Sequence, residues 1–233
     1  MHESSSRFAV DPAALADSGQ HSIEHWYFPG DLPSRPRPEY ERIVAAWVRN
    51  GVVYDPTIGA WRSHRFTVDS LERMLAAAEH DSRAASLPSQ AWRLWRKDLA
   101  ARRIEQNGRP ATAAELGGWN RTLDTFARES GNLAKAGVLT VAGSDLAFAR
   151  FPGDALHDEL VALVDEAGLT PRQALECATF SPARSFKMQD SLGTIAPGKR
   201  ADLVLLDADP LVNIANVRRV KSVMRNGRWL WQR

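Results

Sequence analysis

Ala136 to Asp145, AGVLTVAGSD, is an apolar run carrying the β-branched Val138, Thr140 and Val141 and closed by small residues and a carboxylate. A run of this kind suits a strand buried on both faces, the habit of parallel sheets. It brings Asp145 to the C-terminal end of the strand, where α/β folds build their sites. Helical patterns flank it at Leu123 to Lys135 and Asp154 to Ala167, so the passage is α-β-α and the chain reads as an α/β protein. A strand-end aspartate also suits helix capping or another structural duty, and Asp145 alone does not separate these roles.

Before that run, Asp11-Pro12 followed by AALADSG predicts a helix with Asp11 as N-cap, proline in the first turn and Gly19 at the stop. HSIEH is short and strand-like, and His25 stands at its end. A neutral imidazole held at a strand end is a good zinc ligand, and an ordinary surface histidine is the competing reading. Glu24 points to the opposite face of such a strand, toward an ion pair or hydrogen bond. After the proline-rich loop 28–38, Ile43, Val44, Trp47 and Val48 recur at helical spacing until Gly51. GVVYDPTI then predicts another strand, with Tyr54 and Asp55 near its C-terminal end; neither is assigned a catalytic role.

Residues 65–128 are longer than an ordinary crossover and hold helical patterns at Val68 to His80, at Ser89 to Gln106 and from about Ala111, with a break at Asn107 to Pro110. In the second of these, Trp92, Trp95 and Leu99 share a face and Arg93, Arg96, Lys97, Arg102 and Arg103 occupy much of the rest. Net charge is only +2, so this is read as a solvated helix face and no nucleic-acid partner is expected. Of the eight tryptophans, Trp47, Trp61, Trp92, Trp95 and Trp119 are expected to pack helices against a sheet. Further on, Leu156, Leu160, Leu163, Val164 and Ala167 make an apolar stripe, with Asp158, Glu159, Asp165 and Glu166 mostly outside it. His157 falls in the first turn of that helix, close to the loop after Asp145, where it would meet a substrate or simply pack. Thr170-Pro171-Arg172-Gln173 is a capping box. The single cysteine, Cys177, excludes an internal disulfide and reads as a packing residue. From Leu192 the pattern turns to strands, with Asn226-Gly227 as a hairpin signal.

GVLTVAGSD, then ALHDELVALVDEAGLTPRQALECATFSPAR, then LGTIAPGKRADLVLLDADPL closely resemble the C-terminal half of the metal-dependent amidohydrolases, in the branch with imidazolonepropionase- and prolidase-like members. The resemblance implies the C-terminal part of a TIM-like (β/α)8 barrel with a helical insertion at 65–128, followed by strands of a flanking β-sandwich. It divides the chain into a partial barrel at 8–190 and sandwich strands at 191–233, after a polar start at 1–7 that is expected to be disordered. DSRAASLP resembles the family's lid-like insertion, which implies substrate selection by these helices. Lys199, Arg200 and Asp202 of PGKRADL are implied to be structural turn residues.

By the same resemblance, Asp145 sits beside the metal centre, as ligand and as the group that moves protons, with Ser144 where threonine is commoner. His25 closes the phrase SIEH and is implied to be a metal ligand; His157 is the candidate for substrate contact. The implied cofactor is a divalent metal, zinc, and the implied reaction is hydrolysis of a carbon–nitrogen bond, in a non-peptide or dipeptide amide, or of a lactone-like bond in a small molecule. The other ligands of the family, a His-X-His pair, a bridging lysine or glutamate and a further histidine, would lie before residue 1. His2, in a polar context, is a poor substitute for that further histidine. Only three of the barrel's eight strands are recognisable, so the alternative is a non-catalytic half-barrel serving interaction. Its open strand edges predict self-association or pairing with a complementary N-terminal half. No stretch is apolar enough to cross a membrane, and MHESSSR lacks the core of a signal peptide, so the expected compartment is the cytoplasm and no membrane partner is expected.

Overall fold

The computed structural model of the chain describes residues 11–25, 32–62, 66–78, 80, 88–105, 112–145, 151 and 153–232. The disordered start expected at 1–7, and His2 within it, lie outside them, as do the side chains of Leu99, Arg102 and Arg103.

Local signals set most element ends. Asp11 caps α1 (Pro12–Asp17) through a hydrogen bond from the Ala13 N–H. Gly51, in the left-handed region, stops α2 (Arg37–Asn50). β1 (Ser22–Glu24), β2 (Val53–Asp55) and β3 (Leu139–Thr140) form a parallel sheet in that order, with Ile23, Tyr54 and Thr140 at one level. All three of those side chains are buried. They mark the face covered by helices: the Tyr54 hydroxyl lies 3.0 Å from Ser130 Oγ of α6 (Ala113–Lys135), and its ring lies 6.4 Å from that of Trp47 of α2. Because side chains alternate along a strand, Glu24 and Asp55, one residue further on, point to the opposite face.

β3 is shorter than the apolar run predicts. Val141 N–H still donates to Tyr54 O, but the Ala142 N–H turns to Cys177 O and the Gly143 N–H to the Asp55 carboxylate. The backbone leaves the ladder because its donors find partners off the sheet.

Between β2 and β3 lie α3 (Ile58–Arg62), α4 (Val68–Ala78), α5 (Ser89–Glu105) and α6. The helix expected from about Ala111 and that expected over Leu123 to Lys135 are one continuous 23-residue helix, opened by a Thr112–Glu115 capping box, so a boundary at 128 falls inside it. Trp47 packs in the main core as expected, whereas Trp92 and Trp95 stack at 5.2 Å in a separate cluster with Phe66, Leu71, Met74 and Phe151, and Trp119 is exposed. α4 and α5 thus share an apolar centre apart from the main core, which Phe151 completes.

α7 (Ala155–Asp165), α8 (Pro171–Ala178) and α9 (Phe180–Ser185) follow β3, α8 behind the predicted Thr170–Gln173 capping box. Leu160, Leu163 and Ala167 are buried as the predicted stripe has them, but Leu156 of α7 is exposed and Glu159 is fully buried. β4 (Leu203–Leu206), β5 (Val220–Arg225) and β6 (Arg228–Gln232) make an antiparallel sheet, and Asn226-Gly227, both at positive φ, turns β5 into β6. Lys199 donates to Gln189 O, and Asp202 accepts the Asn226 N–H while pairing with Arg200. Among the described residues no helix is long and apolar enough to cross a membrane.

Candidate active site at the C-terminal end of the parallel sheet

β1, β2 and β3 run the same way, so the residues after their C-terminal ends gather on one rim. Three non-glycine residues there hold positive φ: His25 at 68°, Thr57 at 50° and Asp145 at 36°. Left-handed backbone costs a residue with a Cβ about 1–3 kcal/mol, more readily tolerated where surrounding contacts hold it, and such residues cluster at functional sites. Thr57, β-branched, is the least comfortable of the three.

The contacts that hold them are specific. His25 N–H donates to Asp55 O at 2.8 Å, continuing the β1–β2 ladder past the strand end. The His25 ring then faces Thr57, with Nδ1 at 2.8 Å from Oγ1. Asp145 Oδ2 stands 3.9 Å from the same Nδ1, although β1 and β3 are not neighbours in the sheet. Both side chains are partly open, at 20% and 31%.

Thr57 occupies the position before the first residue of α3, where a threonine hydroxyl ordinarily caps the helix. Here its hydroxyl faces His25 instead. The capping is done by Glu159 of α7, whose carboxylate accepts from Ile58 N–H at 2.9 Å and Gly59 N–H at 2.6 Å. The buried acid that the apolar stripe misplaced therefore frees Thr57 for the imidazole.

Asp55 ends β2, between the other two strands. Its carboxylate accepts from Gly143 N–H at 2.8 Å and from the Thr57 N–H. Burial and the Glu159 and Glu24 carboxylates push its pKa up to about 8, against the two N–H groups that favour its charge. Sequence reasoning assigned it nothing; the available signal was that it closes a strand at the level where His25 and Asp145 close theirs.

His157 is not part of this pair. Among the described residues the charged groups around its half-buried ring are Arg218, Asp154 and Asp158 and its buried Nδ1 has no hydrogen-bond partner; burial, then Arg218, lowers its pKa. Cys177 is buried with its thiol pushed up to about 12, chiefly by desolvation, which suits a packing residue. Among the described residues no three His, Cys, Asp or Glu side chains stand close enough to hold an ion. His25 and Asp145 supply one nitrogen and one oxygen donor of the kinds zinc accepts, short of the three or four protein ligands that zinc sites use.

Residues 120–230 match the amidohydrolase family. An imidazolonepropionase from Mycolicibacterium smegmatis is 41% identical over 76 residues, 31% of this chain and 19% of that protein. An adenine deaminase from Methanothrix thermoacetophila is 39% identical over 84 residues, 33% of this chain and 14% of that protein. The crystal structure of a putative prolidase from Bifidobacterium longum superposes on 95% of this chain and 44% of its own length, with a TM-score of 0.60 and 21% sequence identity. At that identity the likeness is one of fold. The chain spans less than half the length of each of these three proteins.

Proposed function

We propose that the chain carries the C-terminal half of a metal-dependent amidohydrolase barrel, with β4 to β6 as strands of a flanking sandwich. The reaction is water attack on a carbon–nitrogen bond, of a non-peptide or dipeptide amide, or on a lactone-like bond. One observation carries the reading: residues 25 and 145, far apart in sequence, meet at 3.9 Å on the rim of a parallel sheet, each on left-handed backbone.

In this reading His25 and Asp145 hold a divalent ion, zinc by the chemistry of the pair. When bound, such an ion lowers the pKa of water to about 7 and polarises the carbonyl. Asp145 takes the proton of the attacking water on its carboxylate and returns it to the leaving nitrogen or oxygen, so the group is regenerated. Thr57 holds the His25 ring in one orientation, as metal-bound imidazoles need. His157, in the first turn of α7, is given the substrate-side contact, supported by its buried Nδ1, which has no hydrogen-bond partner among the described residues. The remaining ligands are assigned to the portion of the relatives' length that this chain does not span.

Zinc titration and hydrolysis assays on amide and lactone substrates test this, with His25→Ala and Asp145→Asn beside the wild type. The expected outcome is weak zinc binding by the 233-residue chain, lost in both variants, with slow hydrolysis at most. Tight stoichiometric zinc and fast turnover would mean that further ligands exist within these residues. Zinc binding indifferent to both substitutions would overturn the site and favour the second reading, a non-catalytic half-barrel that acts through its strand edges.

A further inference from the structure

We propose that Asp55 is the positioning residue of the His25–Asp145 pair: its carboxylate, at the end of the central strand, clamps the turn that delivers Asp145 and the residue that orients His25. The inference rests on reading that pair as the site.

The pair has a geometric problem. β1 and β3 are separated by β2, so His25 and Asp145 converge only if both chains bend toward the middle strand once their ladders end. The middle strand contributes three anchors, all from one residue. Its carbonyl accepts the His25 N–H, which fixes the backbone of the imidazole. Its carboxylate accepts the Gly143 N–H, two residues before Asp145, and the Thr57 N–H. Thr57 in turn holds the His25 ring at Nδ1. Through one carboxylate, the sheet sets both the ring and the turn that carries the acid.

The fit at Gly143 is close. A Cβ added there would sit 1.8 Å from Asp55 Oδ2, so only glycine lets this turn approach the carboxylate. This is the close approach that a glycine inside a strand-like run signals. Alternation also places the Asp55 side chain opposite the helix-covered face, so burying it there does not serve the main core. A carboxyl group that has to be desolvated and given two backbone N–H partners is a costly way to fill that volume if packing were its only duty.

The contact can be broken from either side, and the readout does not require catalysis. Long-range proton–nitrogen correlation spectra of the metal-free chain report the tautomer and hydrogen bonding of each histidine ring, with His25 assigned through His25→Ala. In the wild type His25 should show one fixed tautomer. Asp55→Ala and Gly143→Ala should each move it to the averaged pattern of a free imidazole while His157 stays unchanged, and Asp55→Asn, which keeps an oxygen for the Gly143 N–H, should retain much of the fixed pattern. The double variant Asp55→Ala/Gly143→Ala should be no worse than Asp55→Ala alone, because the carboxylate that Gly143 approaches is already gone there. Zinc affinity, where the wild type shows it, should fall about 10–100-fold in each single alanine variant, the usual cost of losing a group that orients a ligand. A folded Asp55→Ala protein with the wild-type His25 pattern, or effects of the two substitutions that add, would overturn the proposal. If the alanine variants do not fold, amide exchange in the wild type decides: slow exchange at Gly143 and Thr57 supports the clamp, and fast exchange at both refutes it. A wild type that neither binds zinc nor hydrolyses anything would sink the hydrolase reading and leave these spectra to judge Asp55 alone.

Discussion

Replacing Glu159 by alanine should loosen the floor under the site without touching it. The carboxylate is fully buried and accepts two N–H groups, from Ile58 and Gly59, at the start of α3. Both donors are themselves buried, so water does not readily replace the lost partner. Each orphaned buried N–H costs about 1–3 kcal/mol, which makes about 2–6 kcal/mol for the pair. Against this stands the relief of removing a buried charge that also acts on Asp55. The net expectation is a loss of about 3 kcal/mol, from the orphan-donor cost less that relief. Urea unfolding at neutral pH and low protein concentration reads it directly: with a slope of about 2–3 kcal/mol per molar, the midpoint should fall by about 1–1.5 M. Glu159→Gln, which keeps one acceptor but turns an amide donor toward the other N–H, should fall between the two proteins. A Glu159→Ala midpoint within about 0.2 M of the wild type, a difference of about 0.5 kcal/mol on that slope, would refute the argument that this side chain caps α3.

Gly131→Ala should cost about 3 kcal/mol or more, because its new Cβ would sit 1.8 Å from the Ala167 carbonyl oxygen, a backbone atom that cannot swing aside; thermal unfolding near the wild-type midpoint would contradict this. His157 has a pKa below its ordinary value, so the unfolded chain takes up the proton first as pH falls below about 6.5, and stability is lost across that window. Urea curves at about pH 7.5 and about pH 5.5 should therefore show a larger acid loss for the wild type than for His157→Asn, and equal losses would show that the ring does not contribute. The chain is also expected to self-associate or to pair with a complementary half. β1 and β3 are the edges of the parallel sheet, and the antiparallel sheet leaves Val204 at 59% and Leu230 at 64% exposure. Light scattering over a concentration series that finds a monodisperse monomer, blind to a hydrophobic dye, would count against it.

What the sequence determined by itself is what a few neighbouring residues can enforce. Asp11-Pro12, the Thr170–Gln173 box and Asn226-Gly227 each satisfy or redirect backbone groups within one turn, so the elements they bound are where local chemistry puts them. His25 and Asp145 were legible as a pair only through the resemblance to the amidohydrolases; the strand-like runs they end left each open to a structural reading. The structure alone decided the rest. β3 stops at Thr140 because Ala142 and Gly143 find acceptors on Cys177 and Asp55, residues far away in the chain. Glu159 is buried against the apolar pattern because α3, one hundred residues earlier, begins with N–H groups that Thr57 leaves uncapped. Trp92 and Trp95 pack with Phe151 and with Leu71 and Met74 of α4, a choice that helical periodicity cannot make. Asp55 drew no role from its sequence because its meaning lies in the two strands on either side of it. A pattern along the chain records which face is apolar; it does not record which distant donor will need an oxygen.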